Sequence, residues 1–207
     1  MSYSNYTLDL ASRTFNLTVE AQRLFDRVEP VEPSPWLRET LEKGRSLAWL
    51  TEKARSEFIV APILLTCRDM MDQSIQIYSG VRLDVDPERG LTGECDFVLG
   101  QAPSALMLQA PLLIVVEAKK NDVEEGMGQC AAQMVAARLF NECRRYAVPV
   151  VYGCVTTGEA WQFLKLLDSH LLTDAERYYI DRVDMVLGIL LAILKTSAPS
   201  EKTSDAA

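Results

Sequence analysis

Three apolar segments in the middle of the chain have the patterning of β-strands. Residues 112–118 (LLIVVEA) form a nearly continuous apolar run, which is typical of a strand buried on both faces of a sheet. Residues 74–81 (SIQIYSGV) hold several strand-forming side chains before Gly80 breaks the run, and residues 93–99 (GECDFVL) form a similar segment. The pattern predicts three consecutive strands, with the third at the centre of a sheet.

Segments with helical spacing lie on both sides of these strands. A serine followed by proline, Ser34-Pro35, favours a helix start, and the leucines after it predict a helix over 36–55. This helix is expected to continue or restart through 57–68. Paired glutamates and many alanines predict a long helix over 124–145, and a last helix is predicted over 174–194.

Two more strands are predicted after the long helix, at 150–157 and 160–166, with a tight turn at Thr157-Gly158 between them. The order along the chain is then helix, three strands, helix, two strands, helix. This order predicts an α/β fold with a central mixed sheet of about five strands flanked by helices.

Length and local composition predict one main domain with an addition at each end. The 207 residues fit the size of a single domain with a proper core. The prolines near residue 30 mark 1–35 as an N-terminal extension, with one short helix near 19–26. The domain extends over 36–195, and the polar residues 196–207 have the composition of a disordered tail.

Composition restricts the chemistry and predicts a cytosolic protein. The single histidine, His170, is predicted at the exposed start of the last helix, so a histidine-rich metal centre is excluded. Five cysteines without CxxC spacing favour reduced, buried thiols, and no apolar stretch reaches the roughly 20 residues that span a bilayer. A net charge of −8 argues against general coating of nucleic acid, but a local basic groove remains open. The residues for such a groove are Lys119, Lys120, Arg138, Arg144 and Arg145.

Charged residues at the ends of two predicted strands supply the candidate chemistry. Glu117 and Lys119 flank Ala118 at the end of the buried strand, and strand alternation places both side chains on one face. Asp96 on a neighbouring strand can bring a second carboxylate beside Glu117, with Glu94 as a rival or additional one. Adjacent carboxylates without histidine favour Mg²⁺ or Mn²⁺.

At these residues the chain resembles the PD-(D/E)xK superfamily of metal-dependent nucleases, over about residues 36–166. The order of elements matches that of the superfamily's restriction endonuclease-like core. The resemblance implies that Asp96 and Glu117 bind the metal and that Lys119 assists the attacking water. Cys95 stands where the superfamily's name-giving proline would lie.

The resemblance also implies two supporting polar residues on the helices. A glutamate on the first core helix would complete the metal shell; Glu57 is preferred for this role, and Glu52 is the alternative. A glutamine on the long helix would orient nearby groups or contact substrate; Gln133 is preferred, and Gln129 lies one helical turn away on the same face.

The function implied by the resemblance is metal-dependent hydrolysis of phosphodiester bonds in nucleic acid, specifically as a DNA endonuclease. A homodimer that cuts both strands of a duplex is suggested by analogy. The alternative is a nuclease-fold binding or assembly module without catalysis, in which the carboxylates only form salt bridges with Lys119 or Lys120. A glycosidase using the paired carboxylates is disfavoured because no aromatic cluster accompanies them.

Overall fold

A computed structural model describes residues 1–48, 50–101 and 106–196 of the chain. The strands in these residues are β1 (Thr18–Gln22), β2 (Gln76–Arg82), β3 (Glu94–Gly100), β4 (Leu112–Ala118), β5 (Val150–Thr156), β6 (Ala160–Leu167), β7 (His170–Asp174) and β8 (Tyr178–Tyr179). The α-helices are α1 (Leu8–Phe15), α2 (Pro35–Arg45), α3 (Glu52–Arg55), α4 (Ala61–Met70), α5 (Glu124–Cys143) and α6 (Val183–Thr196). Two single 3-10 turns and a π-helical turn complete them: Tyr3–Asn5, Ile180–Arg182 and, between α3 and α4, Ser56–Val60.

The strands form one mixed sheet in the order β1-β7-β6-β5-β4-β3-β2, and β8 pairs with β6 beside this row. The β4–β5 and β1–β7 pairs are parallel, and the other pairs are antiparallel. The predicted α/β class with a mixed, helix-flanked sheet is therefore confirmed. The predicted number of about five strands is too small, because β1, β7 and β8 were not recognised.

The centre of the sheet is β4, whose seven residues are all buried. It pairs with β3 on one side and with β5 on the other, so its backbone groups are satisfied along both edges. Its bounds agree with the prediction, since a continuous apolar run is stable only where both faces of a strand are covered.

Helices cover both faces of the sheet and divide the core into two layers. On one face α5 packs against β4 and β5, and α1 packs on α5; Val115 and Ala131 belong to this layer. On the other face α2, α4 and α6 bury their apolar sides, and Ile114 and Leu190 belong to that layer. The side chains of β4 therefore contribute to both layers of the core.

The segment predicted as an N-terminal extension contributes to both the sheet and the core. The helix predicted near 19–26 is wrong, because Thr18–Gln22 is a strand that pairs in parallel with β7. Its five residues are exposed, so the backbone pairing and not an apolar face holds it in place. Tyr3 and Tyr6 are buried in the same layer as α5.

The region after β6 also differs from the prediction. The last helix begins at Val183 and not near residue 174, because the chain first forms β7 and β8. Asp174 is buried, and its carboxylate accepts hydrogen bonds from the Glu176 N–H at 3.1 Å and the Tyr178 hydroxyl at 3.1 Å. These polar contacts fix a turn where the sequence pattern indicates a helix. His170 is exposed, as predicted, but lies in β7.

The helix predicted over 36–55 is interrupted after Arg45. Gly44 lies against the backbone carbonyl of Phe58 in the π-helical turn, where an added Cβ would be only 2.6 Å from that oxygen. This close approach lets α2 cross the π-helical turn, and the chain restarts as α3 at Glu52. The prediction of one unbroken helix over 36–55 is therefore wrong, whereas the predicted continuation through 57–68 is observed, because α3, the π-helical turn and α4 follow one another without a gap.

The cysteines, the helices and the C-terminal end were each the subject of a prediction from the sequence. All five cysteines are free, and each is buried except Cys143. Within the described residues, none of the helices combines the length and the apolar character needed to cross a bilayer. Thr196 closes α6, and residues 197–207 of the predicted tail lie outside the described residues.

Candidate metal centre

The end of β4 carries two charged side chains on the face covered by α5. Glu117 is 2% exposed, and its Oε1 accepts a hydrogen bond from the Lys119 ammonium at 2.7 Å. The backbone N–H of Lys119 donates to the carbonyl of Thr156 at 2.8 Å, so Lys119 continues the pairing of β4 with β5. Strand alternation and continued pairing thus aim both side chains at one spot, as predicted.

Asp96 reaches the same spot from the neighbouring strand β3. Phe97 pairs with Val116 across the two strands, which places the preceding Asp96 beside Glu117. Its Oδ2 accepts a hydrogen bond from the backbone N–H of Ala118 at 2.8 Å. This bond fixes the carboxylate at the end of β4, next to the second carboxylate.

A third carboxylate comes from α3. Thr51 caps this short helix by accepting the N–H of Ala54 at 3.0 Å, which makes Glu52 its first residue. Glu52, Asp96 and Glu117 each place one carboxylate oxygen within 4.8 Å of the others. In the described part of the chain this is the one group of three or more such side chains close enough to share a metal ion.

The preferred helix glutamate, Glu57, does not belong to this cluster. It is exposed, and its carboxylate lies 3.8 Å from the ammonium of Lys53. Five residues rotate a helix by roughly 140°, so Glu52 and Glu57 cannot face the same side. The structure therefore corrects the order of preference: the alternative, Glu52, is the residue that faces Glu117. The rival carboxylate Glu94 is exposed and also outside the cluster.

Both candidate glutamines of α5 contact the cluster. Gln133 is fully buried, and its Nε2 donates to Glu117 Oε2 at 2.9 Å. Gln129 accepts a hydrogen bond from the Lys119 ammonium through its Oε1 at 3.1 Å. Gly126 permits this closeness, because an added Cβ would overlap Val155 and press on the Lys119 side chain. The sequence favoured Gln133 over Gln129; in the structure both contact the cluster, Gln133 through Glu117 and Gln129 through Lys119.

Burial and like charges shift the protonation of the cluster. Burial, followed by the negative charge of Asp96, raises the pKa of Glu117 to about 7. Burial also raises the pKa of Asp96, against the hydrogen bond from Ala118. Burial acts to lower the pKa of Lys119, but the facing carboxylates outweigh it and raise that pKa. Lys119 is therefore a permanent cation between acidic groups.

The donor set fits a hard divalent cation. The three carboxylates carry more negative charge, once ionised, than the single ammonium of Lys119 neutralises, and all their ligand atoms are oxygens. The Oε1 of Gln133 is buried and lacks a hydrogen-bond partner among the described residues. A water molecule bound beside the Glu117 carboxylate would supply the hydrogen bond that this buried acceptor lacks.

Two comparisons with known proteins found no match. No protein-family model matches the chain, and no curated protein is significantly similar to it. The geometry of the cluster is therefore the basis for assigning a function.

Proposed function

We propose that this protein is a metal-dependent nuclease of the PD-(D/E)xK superfamily that hydrolyses phosphodiester bonds in DNA. The observation that carries the proposal is the convergence of three carboxylates and one ammonium at the end of β4. Asp96, Glu117 and Lys119 are the residues on which the resemblance rests, and they lie together. Mg²⁺ or Mn²⁺ is the cofactor that the oxygen donors favour.

Each residue of the cluster has a distinct part in this proposal. Glu52, Asp96 and Glu117 would hold the ion, which supplies a bound water of lowered pKa and neutralises charge on the phosphate. Lys119 holds its ammonium 2.7 Å from Glu117, where it can orient a water or stabilise a phosphate oxygen. Gln133 fixes the orientation of the Glu117 carboxylate.

The setting of this activity is also part of the proposal. We place the protein in the cytosol, in keeping with its free thiols. Two copies would place one active site at each strand of a duplex, so by analogy we propose a homodimer on DNA, which light scattering with and without a duplex would detect.

The test is cleavage of labelled single- and double-stranded DNA and RNA in Mg²⁺, Mn²⁺ or chelator. Wild type is expected to cut DNA only with metal. Glu117→Ala and Lys119→Ala should each lower the rate by roughly 100-fold or more, because each removes a group that faces the reacting phosphate.

Two glutamates of the α3–α4 region provide a matched pair for the same assay. Glu52→Gln should reduce cleavage strongly, whereas Glu57→Gln, the same change five residues away and outside the cluster, should leave it unchanged. Equal activity of these two variants would refute the assignment of Glu52 as a metal ligand.

A second candidate function is a nuclease-fold binding or assembly module without catalysis. It is supported by the pairing of Glu117, whose Oε1 accepts a hydrogen bond from Lys119 and whose Oε2 accepts one from Gln133, so that both oxygens are engaged by protein donors. Titration calorimetry with Mn²⁺ separates the two. Binding that is lost in Glu117→Gln supports the nuclease, and absence of binding in folded wild type favours the module.

A further inference from the structure

A pocket beside the acidic cluster contains two arginines that the proposed function leaves unused. Arg45 at the end of α2 and Arg55 at the end of α3 line it, together with the Thr157–Glu159 turn between β5 and β6. Ala48, Ile59 and Ile180 complete the wall. The pocket therefore combines positive charge with apolar surface.

The arginines are not neutralised by carboxylates. The Nη1 of Arg55 donates to the carbonyl of Thr157 at 2.6 Å, and its Nε is buried without a partner. Neither Arg45 nor Arg55 forms an ion pair with any residue that the structure describes. Glu159 lies at the pocket, is exposed, and leaves an excess of one positive charge there. A buried donor that lacks a protein acceptor is available to a water molecule or to a ligand that supplies one.

The pocket and the acidic cluster both lie beside α3 and the end of β5. Arg55 follows Glu52 by three residues on α3, so the two side chains lie on the same side of that helix. The turn that lines the pocket begins after Thr156, whose carbonyl accepts the backbone N–H of Lys119. A ligand that reaches both sites needs to pass only over α3 and the end of β5.

We propose that the pocket binds a backbone phosphate of the nucleic-acid strand adjacent to the phosphate held at the acidic cluster. This inference rests on the proposed function and adds to it the place where the strand is anchored. A guanidinium presents parallel N–H donors that match phosphate oxygens, which suits Arg55 and Arg45 to this ligand. Ile180, which is half-buried at the pocket, offers apolar contact to a sugar ring.

The test measures binding and not cleavage, in a Glu117→Gln background that leaves the DNA intact. Fluorescence anisotropy of labelled single-stranded DNA gives Kd over a range of salt concentrations. Arg45→Gln and Arg55→Gln are each expected to raise Kd by about 5- to 20-fold and to reduce the salt slope by about 1. Arg13→Gln is the matched control, because Arg13 lies on α1 and pairs with Asp9.

The variants also separate a structural role from a binding role. Arg55 donates to the Thr157 carbonyl, so its loss can disturb the turn; Arg45 makes no such bond to any residue that the structure describes, and it tests the pocket independently. Circular dichroism and a urea midpoint equal to that of the Arg13→Gln control establish that Arg45→Gln is folded. An unchanged Kd and salt slope in folded Arg45→Gln would overturn the proposal.

Further outcomes distinguish this inference from the proposed function. Arginine-dependent DNA binding in a protein whose wild type cuts nothing would support the pocket and refute the nuclease. If wild type cleaves DNA but the arginine variants keep the Kd and salt slope of their parent, the pocket proposal alone would be refuted. Calorimetry with inorganic phosphate adds one arm: phosphate binding lost in Arg45→Gln, without any effect on DNA, would reassign the pocket to a free anion and overturn the strand assignment.

Discussion

A carboxylate at the end of a buried strand is costly unless its charge is compensated, and Glu117 shows how this protein meets that cost. Lys119 and Gln133 both donate to it, yet burial still raises its pKa to about 7. When Glu117 is ionised, these two hydrogen bonds do not fully compensate its negative charge. A bound cation would compensate the rest.

The raised pKa of Glu117 predicts a pH-dependent stability. The folded state holds a proton on Glu117 between its ordinary value of 4.5 and about 7, whereas the unfolded chain does not. Stability therefore falls as pH rises through this range. Glu117→Gln cannot titrate at this position. The difference in unfolding free energy between Glu117→Gln and wild type should therefore change in favour of the variant by roughly 1–3 kcal/mol between pH 5 and pH 8.

Urea unfolding at several pH values in chelator measures this difference. Glu57→Gln serves as the control, because Glu57 is exposed and lies outside the acidic cluster. A constant difference between Glu117→Gln and wild type would contradict the raised pKa.

At the scale of elements, α5 depends on close approach to the rest of the molecule. Glycines in its first turns allow contacts that any side chain would block: Gly126 faces Lys119, and Gly128 faces the backbone of residues 6–8. These contacts join α5 to both the end of β4 and the N-terminal segment. The low helix propensity of glycine is therefore offset by packing.

Gly128→Ala tests this arrangement. Intrinsic propensity alone would stabilise α5 by up to about 1 kcal/mol, but the added Cβ would overlap the backbone of Thr7 and Leu8. We expect a net destabilisation of about 1–3 kcal/mol in urea unfolding, as for other overpacked sites. Glu125→Ala, an exposed change in the same helix, should alter stability by less than about 0.5 kcal/mol. A stabilised Gly128→Ala would show that α1 does not dock closely on α5.

At the scale of the whole molecule, the first residues connect distant parts of the fold. The hydroxyl of Tyr3 donates to the carbonyl of Leu83 beyond β2, and its N–H donates to the carbonyl of Thr92 at 3.2 Å. β1 continues from the same segment and covers the edge of β7 at the far side of the sheet. The segment therefore spans the sheet from the β2–β3 connection to its opposite edge.

Tyr3→Ala is expected to destabilise the protein by about 3–5 kcal/mol, because Tyr3 is 1% exposed and its removal leaves a large cavity. Tyr3→Phe should cost less, since it removes only the hydrogen bond to Leu83. Tyr179→Ala is the control, as Tyr179 is 53% exposed. Equal unfolding free energies for Tyr3→Ala and Tyr179→Ala would refute a structural role for the first residues.

Local sequence patterns were sufficient to predict the central elements and the shared face of Glu117 and Lys119. β4 has its predicted bounds and α5 begins at its predicted residue, because a continuous apolar run and a strongly helical composition are local properties of the chain. Glu117 and Lys119 share a face for an equally local reason, the alternation of side chains along a strand.

The edges of the sheet and the identity of the third carboxylate depend on contacts between segments that are distant in sequence. β1 and β7 lack a strong apolar pattern, and each is a strand because another segment supplies its hydrogen-bond partners. Glu52 rather than Glu57 faces Glu117 because α3 restarts after a break and sets its own rotation. Partners remote in sequence leave no periodic signal, so their positions follow from packing and not from the local pattern.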